Sequence, residues 1–64
     1  MDKKLTTYRA TGLAEGFIEG TEQEVMEAWQ YLHDTGLAYE LQGWFGRTAQ
    51  HLIKNGIIRN GHTG

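Results

Sequence analysis

Between Thr21 and Gly36 the chain carries both ends of a helix and an apolar stripe joining them, and the remaining residues must be arranged to cover that stripe. Thr21 followed by Glu24 is a capping box, in which each side chain satisfies the other residue's free backbone N–H. Glu22 and Glu24 also sit at the positive end of the helix dipole, and His33 falls in the last turn, where a partly charged imidazole is favoured. Val25, Ala28, Trp29 and Leu32 recur on one face. Asp34-Thr35-Gly36 ends the helix, with Gly36 placed for the left-handed conformation at C′ and Leu37 for packing back.

The cover has to come from the same short chain. Sixty-four residues make one domain, near the size at which a core supplies only a few kcal/mol. With no cysteine, neither a disulfide framework nor a thiolate metal site can compensate. The segment from Ala38 to about Asn55 reads as a second helix ending at Gly56. At 100° per residue, Leu37, Leu41, Phe45, Thr48 and Leu52 share a face, with Ala38 and Ala49 beside them. That face is expected to pack on the first stripe as an antiparallel or steeply crossed pair, with Ile57-Ile58 folding back as an apolar clasp. Ahead of Gly20, Leu5, Tyr8, Leu13, Phe17 and Ile18 fall at helical intervals. Gly12 and Gly16 each disfavour a long helix, which leaves one short helix or two broken pieces, and Leu5-Thr6-Thr7-Tyr8 could instead be extended. The expected fold is all-α: a small bundle of two to three helices, with a helical hairpin over about 21–35 and 38–55 and a short N-terminal helix or irregular segment. The domain would span 1–59, with 60–64 a disordered tail.

Several functions are disfavoured. With neither Ser nor Cys, the two commonest side-chain nucleophiles are missing. His33, His51 and His62 share no metal-ligand spacing, and no glycine-rich phosphate loop follows a predicted strand. A non-enzymatic protein without cofactor or metal is expected. No apolar run marks a signal peptide or a membrane span, so a cytosolic protein is the default. The net charge of −2 conceals an asymmetry. From Ala10 to Gly46 the chain carries Glu15, Glu19, Glu22, Glu24, Glu27, Asp34 and Glu40 and no Lys or Arg; Lys3, Lys4, Arg9, Arg47, Lys54 and Arg59 flank this stretch. So acidic a centre counts against nucleic acid as the main partner.

Gly43 and Gly46 stand out, because two glycines inside the second helix would cost about 2 kcal/mol against alanine. The helical wheel sets them opposite the core, near Gln50. Close approach of another backbone, from the N-terminal segment or from a partner, would keep glycine there, and so would a local bend or break. Beside them Glu40, Trp44, Arg47 and His51 form a stripe on the flank between core and solvent. Trp and Arg are the residues most enriched in interface hot spots. By itself Trp44 reads first as the edge of the core, and His51 as an ordinary flank residue. Gly43, Gly46, Ala49 and Ile53 form a small-residue face that would suit a homodimer.

The run Glu27-Ala28-Trp29-Gln30-Tyr31-Leu32, then Asp34-Thr35-Gly36-Leu37-Ala38, Leu41-Gln42-Gly43-Trp44-Phe45-Gly46-Arg47-Thr48-Ala49 and Leu52-Ile53 with Gly56, resembles a family of very small tailed-bacteriophage proteins of unknown function. Their shared centre is L-Q-G-x-[YF]-G-R. The resemblance covers roughly residues 17–58 and implies a phage origin and expression in the host cytoplasm. It marks Gln42, Gly43, Gly46 and Arg47 as matching the motif, and it implies no activity.

The leading expectation is a protein that binds and modulates or inhibits a host protein, using Gln42, Gly43, Trp44, Gly46, Arg47 and His51. An alternative contact is the acidic helix, whose target would have a basic surface and whose binding would weaken with salt. The runner-up is a helix-turn-helix nucleic-acid binder, which would require the flanking cations to converge on one face.

Overall fold

The computed structural model describes residues 5–59. They form helix α1 (Thr7–Glu15), helix α2 (Glu22–Asp34), a 3-10 turn over Leu37–Tyr39 and helix α3 (Gly43–Lys54), with no strand among them. This is the expected all-helical bundle. The tail residues 60–64, together with Lys3 and Lys4, lie outside the described residues.

The ends of α2 are those read from the sequence. Thr21 N donates to Glu24 Oε1 at 2.8 Å, and Glu24 N donates to Thr21 Oγ1 at 3.1 Å. Gly36 follows the C-cap with φ 82°, a conformation that costs glycine nothing and other residues about 1–2 kcal/mol. The Glu24 carboxylate also reaches Arg9 of α1 at 3.6 Å, so one side chain both caps α2 and ties it to its neighbour. Thr21→Ala is expected to cost about 1 kcal/mol. That corresponds to a Tm lower by about 4–8 °C in a thermal melt, and an unchanged melt would show that the box contributes nothing.

The first segment is one short helix, the first of the expected alternatives, and neither two broken pieces nor a strand. Only Thr6 is extended, as the N-cap whose hydroxyl accepts from Arg9 N at 3.1 Å. Gly12 is inside α1, and Gly16 ends it at φ 90°. Phe17 N and Ile18 N both donate back to the Gly12 carbonyl, at 2.9 and 3.1 Å, which turns Ile18 against the glycine. Of the apolar residues read here as one periodic set, Leu13 is buried and Leu5 and Ile18 are partly buried, but Tyr8 and Phe17 are 81% and 82% exposed. Phe17 lies beyond the helix end, so the three- and four-residue spacing no longer places it.

The core is made of Ala10 and Leu13 from α1, Ala28, Trp29 and Leu32 from α2, Ala38 from the turn, Phe45 and Ala49 from α3, and Ile58 behind it. Helix α2 is central, and its main neighbour is α1 rather than the expected hairpin partner α3. Ala10, fully buried, brings only a methyl group to the core from α1, while Gly12 is covered by Ile18 of the same segment. The apolar clasp is half realised, since Ile58 is buried and Ile57 is 46% exposed. Its anchor is polar: the Gln30 side chain accepts from Arg59 N at 2.8 Å and donates to Arg59 O at 2.9 Å.

Candidate functional site

The expected helix over 38–55 is interrupted. Glu40 N and Leu41 N both donate to the Leu37 carbonyl, closing the 3-10 turn, and α3 restarts at Gly43 with Gln42 as its N-cap. Gly43 and Gly46 therefore lie in the first turn or so of a new helix, not in a helix interior. The large propensity penalty inferred for them does not apply in full. Gly46 does not face open solvent either. A Cβ there would stand 3.2 Å from Tyr39 Cδ1 and 3.5 Å from the Ala38 carbonyl. The close approach comes from the chain's own 3-10 turn. A Cβ at Gly43 would meet only the Arg47 guanidinium, at 3.2 Å, because a helical side chain leans back over the preceding turn.

Tyr39 joins the two halves of the domain. Its hydroxyl is 2.7 Å from His33 Nδ1 on α2 and accepts from Gln50 Nε2 on α3 at 2.8 Å, and its ring meets the His33 ring edge-on at 5.7 Å. Tyr39 is thus held on both sides. Its ring, 45% exposed, forms the wall of an open groove continued by Gly46, Arg47, Gln50, His51, Ile53 and Lys54.

The expected contact residues divide. Gly46, Arg47 and His51 line the groove, and Gly43 lies beside the Arg47 guanidinium. Trp44 is turned toward the core edge, stacked on Phe45 at 4.2 Å and edge-on to Trp29 at 6.1 Å, yet remains 37% exposed. Gln42 lines a separate depression with Thr11, Glu15, Glu40, Leu41 and Phe45, on the α1 side. Glu40 precedes α3 and is not part of its stripe. Of the small-residue face read as a dimer seam, Ala49 is fully buried and Gly46 lies against Tyr39, whereas Gly43 is exposed and Ile53 lines the groove.

The cations separate as well. Arg9 pairs with Glu24, and Arg59 lines a groove beside Gln23, Met26, Glu27 and Gln30 on α2. Arg47 and Lys54, with His51, share the Tyr39 groove, and the side chains of these three make no ion pair or hydrogen bond with another described residue. Among the described residues no group of three His, Asp or Glu side chains is placed to hold a metal ion, and no helix is long and apolar enough to cross a membrane.

Sequence reasoning missed Lys54 as a neighbour of Arg47 and His51, although the seven-residue interval from Arg47 to Lys54 puts both on one helical face. It also missed Tyr8 and Phe17, which flank a depression lined by Thr11, Gly12, Glu15 and Ile18. No sequence signal separates these exposed aromatics from core ones.

The motif residues around Gln42–Arg47 lie within a longer match: the model of a domain of unknown function, DUF7417, matches residues 11–63. The chain belongs to the DUF7417 family. The match takes in α2, the 3-10 turn and α3 entirely and most of α1, so the family covers the whole of the Tyr39 groove and the Trp44 edge. Its description assigns the DUF7417 domain no activity. No curated protein and no solved structure matches the chain.

Proposed function

We propose that this DUF7417 chain is a non-enzymatic binding protein that occupies a surface of a host protein, in the cytoplasm of a phage-infected bacterium, and modulates or inhibits it. The phage setting rests on the resemblance carried by Leu41-Gln42-Gly43-Trp44-Phe45-Gly46-Arg47. The observation that carries the binding reading is the outer side of α3. There Trp44 is 37% exposed, and the exposed side chains of Arg47 and His51 are bound to nothing else among the described residues. An exposed tryptophan edge and, three residues on, an uncommitted arginine have the composition of an interface hot spot. The helix-turn-helix reading has weaker support, because Arg9 is paired with Glu24 and Arg59 lines a different groove from Arg47 and Lys54.

The test is capture from bacterial lysate by the wild type beside Arg47→Ala and Trp44→Ala, each checked for folding by circular dichroism. Folded Arg47→Ala is expected to lose a partner that the wild type retains, through a loss of about 2 kcal/mol or more, some thirtyfold in affinity. If Arg47→Ala and Trp44→Ala both keep every partner while folded, this face is not the binding surface.

A further inference from the structure

The Tyr39 groove combines features that specify its occupant more closely than the hot-spot composition alone. Its wall is an aromatic ring fixed from two helices by the His33 and Gln50 hydrogen bonds. Gly46 lets that ring lie close against α3, since a Cβ there would press on it at 3.2 Å. Ile53 adds an apolar surface, and Arg47, His51 and Lys54 bring basic side chains to the same groove, which opens to about 720 Å³. Lys54 and His51 also complement the negative end of the α3 dipole, but Arg47 lies too far from that end for the dipole to explain it. This concentration of cations sits on a chain of net charge −2 whose other described cations lie elsewhere.

We infer that the groove takes a short acidic segment of a partner protein, with one or two carboxylates against Arg47 and Lys54 and an adjacent aliphatic or aromatic side chain on Tyr39, Gly46 and Ile53. This rests on the reading of the α3 face as a protein-binding surface and names the chemistry of what it binds. Charge complementarity selects an anion, and the apolar wall selects a side chain next to it. A nucleic acid strand fits less well. Its phosphates would continue past the groove, and among the described residues outside it Arg9 is already paired with Glu24 and the charged side chains are mainly acidic.

The experiment is selection of random displayed peptides of about twelve residues on the immobilised full-length protein, followed by affinity measurement on the enriched sequences. Enriched peptides are expected to place Asp or Glu beside Leu, Ile, Phe or Trp. Their affinity is expected to fall about tenfold or more in Arg47→Glu/Lys54→Glu, and several-fold as ionic strength rises from about 0.05 to about 0.5 M. Both substituted side chains are exposed and unpaired in the fold, and Gln50→Ala provides a second variant that frees the Tyr39 wall without changing charge. Neutral or basic winners, no enrichment, or affinity indifferent to charge reversal would each overturn the assignment. So would displacement of the peptide by inorganic phosphate or oligothymidylate at concentrations no higher than the peptide's own. Should a lysate partner depend on Arg47→Ala while no acidic peptide is enriched, the binding reading stands and the acidic occupant falls. If neither occurs, both fall.

Discussion

Phe45→Ala is expected to leave the domain largely unfolded at room temperature. Phe45 and Leu32 are the largest fully buried side chains, and Phe45 also belongs to an aromatic triad, stacked on Trp44 at 4.2 Å and tilted against Trp29 at 5.9 Å. Truncating a buried phenylalanine costs about 3–5 kcal/mol, from lost transfer free energy together with the cavity left behind. A chain of this length has a total stability of about 3–10 kcal/mol, and a small core without disulfides belongs toward the lower end. The loss is therefore comparable to the whole. Urea titration followed by circular dichroism and by the combined fluorescence of Trp29 and Trp44 measures it. A cooperative transition within about 1.5 kcal/mol of the wild type would show that the core collapses around the gap and that Phe45 is not central.

The second large effect opposes local propensity. Gly12 lies inside α1, where a better helix former would ordinarily add about 1 kcal/mol. Its buried side is occupied instead by Ile18, which the Gly12 carbonyl draws back: a Cβ at residue 12 would stand 2.5 Å from Ile18 Cδ1 and 2.6 Å from Cγ1. Gly12→Leu must expel Ile18 from the core edge, and overpacking of this kind costs about 1–3 kcal/mol. A leucine carries more atoms than the missing Cβ, so the upper part of that range applies and the net result is destabilisation by about 2 kcal/mol. The physical cause is separable. In an Ile18→Ala background the same Gly12→Leu change is expected to cost at least about 1 kcal/mol less, a coupling typical of residues in contact. Equal costs in the two backgrounds would place the penalty in the helix itself.

Taken with the Thr21 cap, these expectations show where the sequence was informative. Capping is local: Thr21 and Glu24 are three residues apart and need only each other, so the start of α2 was legible, as were the left-handed glycines that end α2 and α3. Apolar periodicity correctly identified Ala28, Trp29, Leu32, Phe45 and Ala49 as core. It misplaced Tyr8 and Phe17, because exposure depends on whether another element arrives above a residue. It also carried α3 back through residues 38–42, since Leu37, Leu41 and Phe45 keep helical spacing even though the backbone between them breaks. The expected contact set was partly legible for the same reason: Arg47 and His51 follow from helical phase, whereas Trp44 and Gln42 part from them only once α1 and α2 are in place.

By itself the sequence determined a helical domain with an acidic capped central helix, a glycine-marked second helix and no cysteine to brace them, because caps, dipoles and periodicity act within a few residues along the chain. The tertiary structure alone decided that α2 leans mainly on α1, that Gly46 admits Tyr39 of its own chain, that Gln30 holds the backbone of Arg59, and that Arg47, His51 and Lys54 line one groove while Arg9 and Arg59 lie elsewhere. Each of these is an encounter between different elements of the chain. Their outcome depends on how much room small residues leave and which polar groups arrive within hydrogen-bonding reach, and neither is written in local spacing.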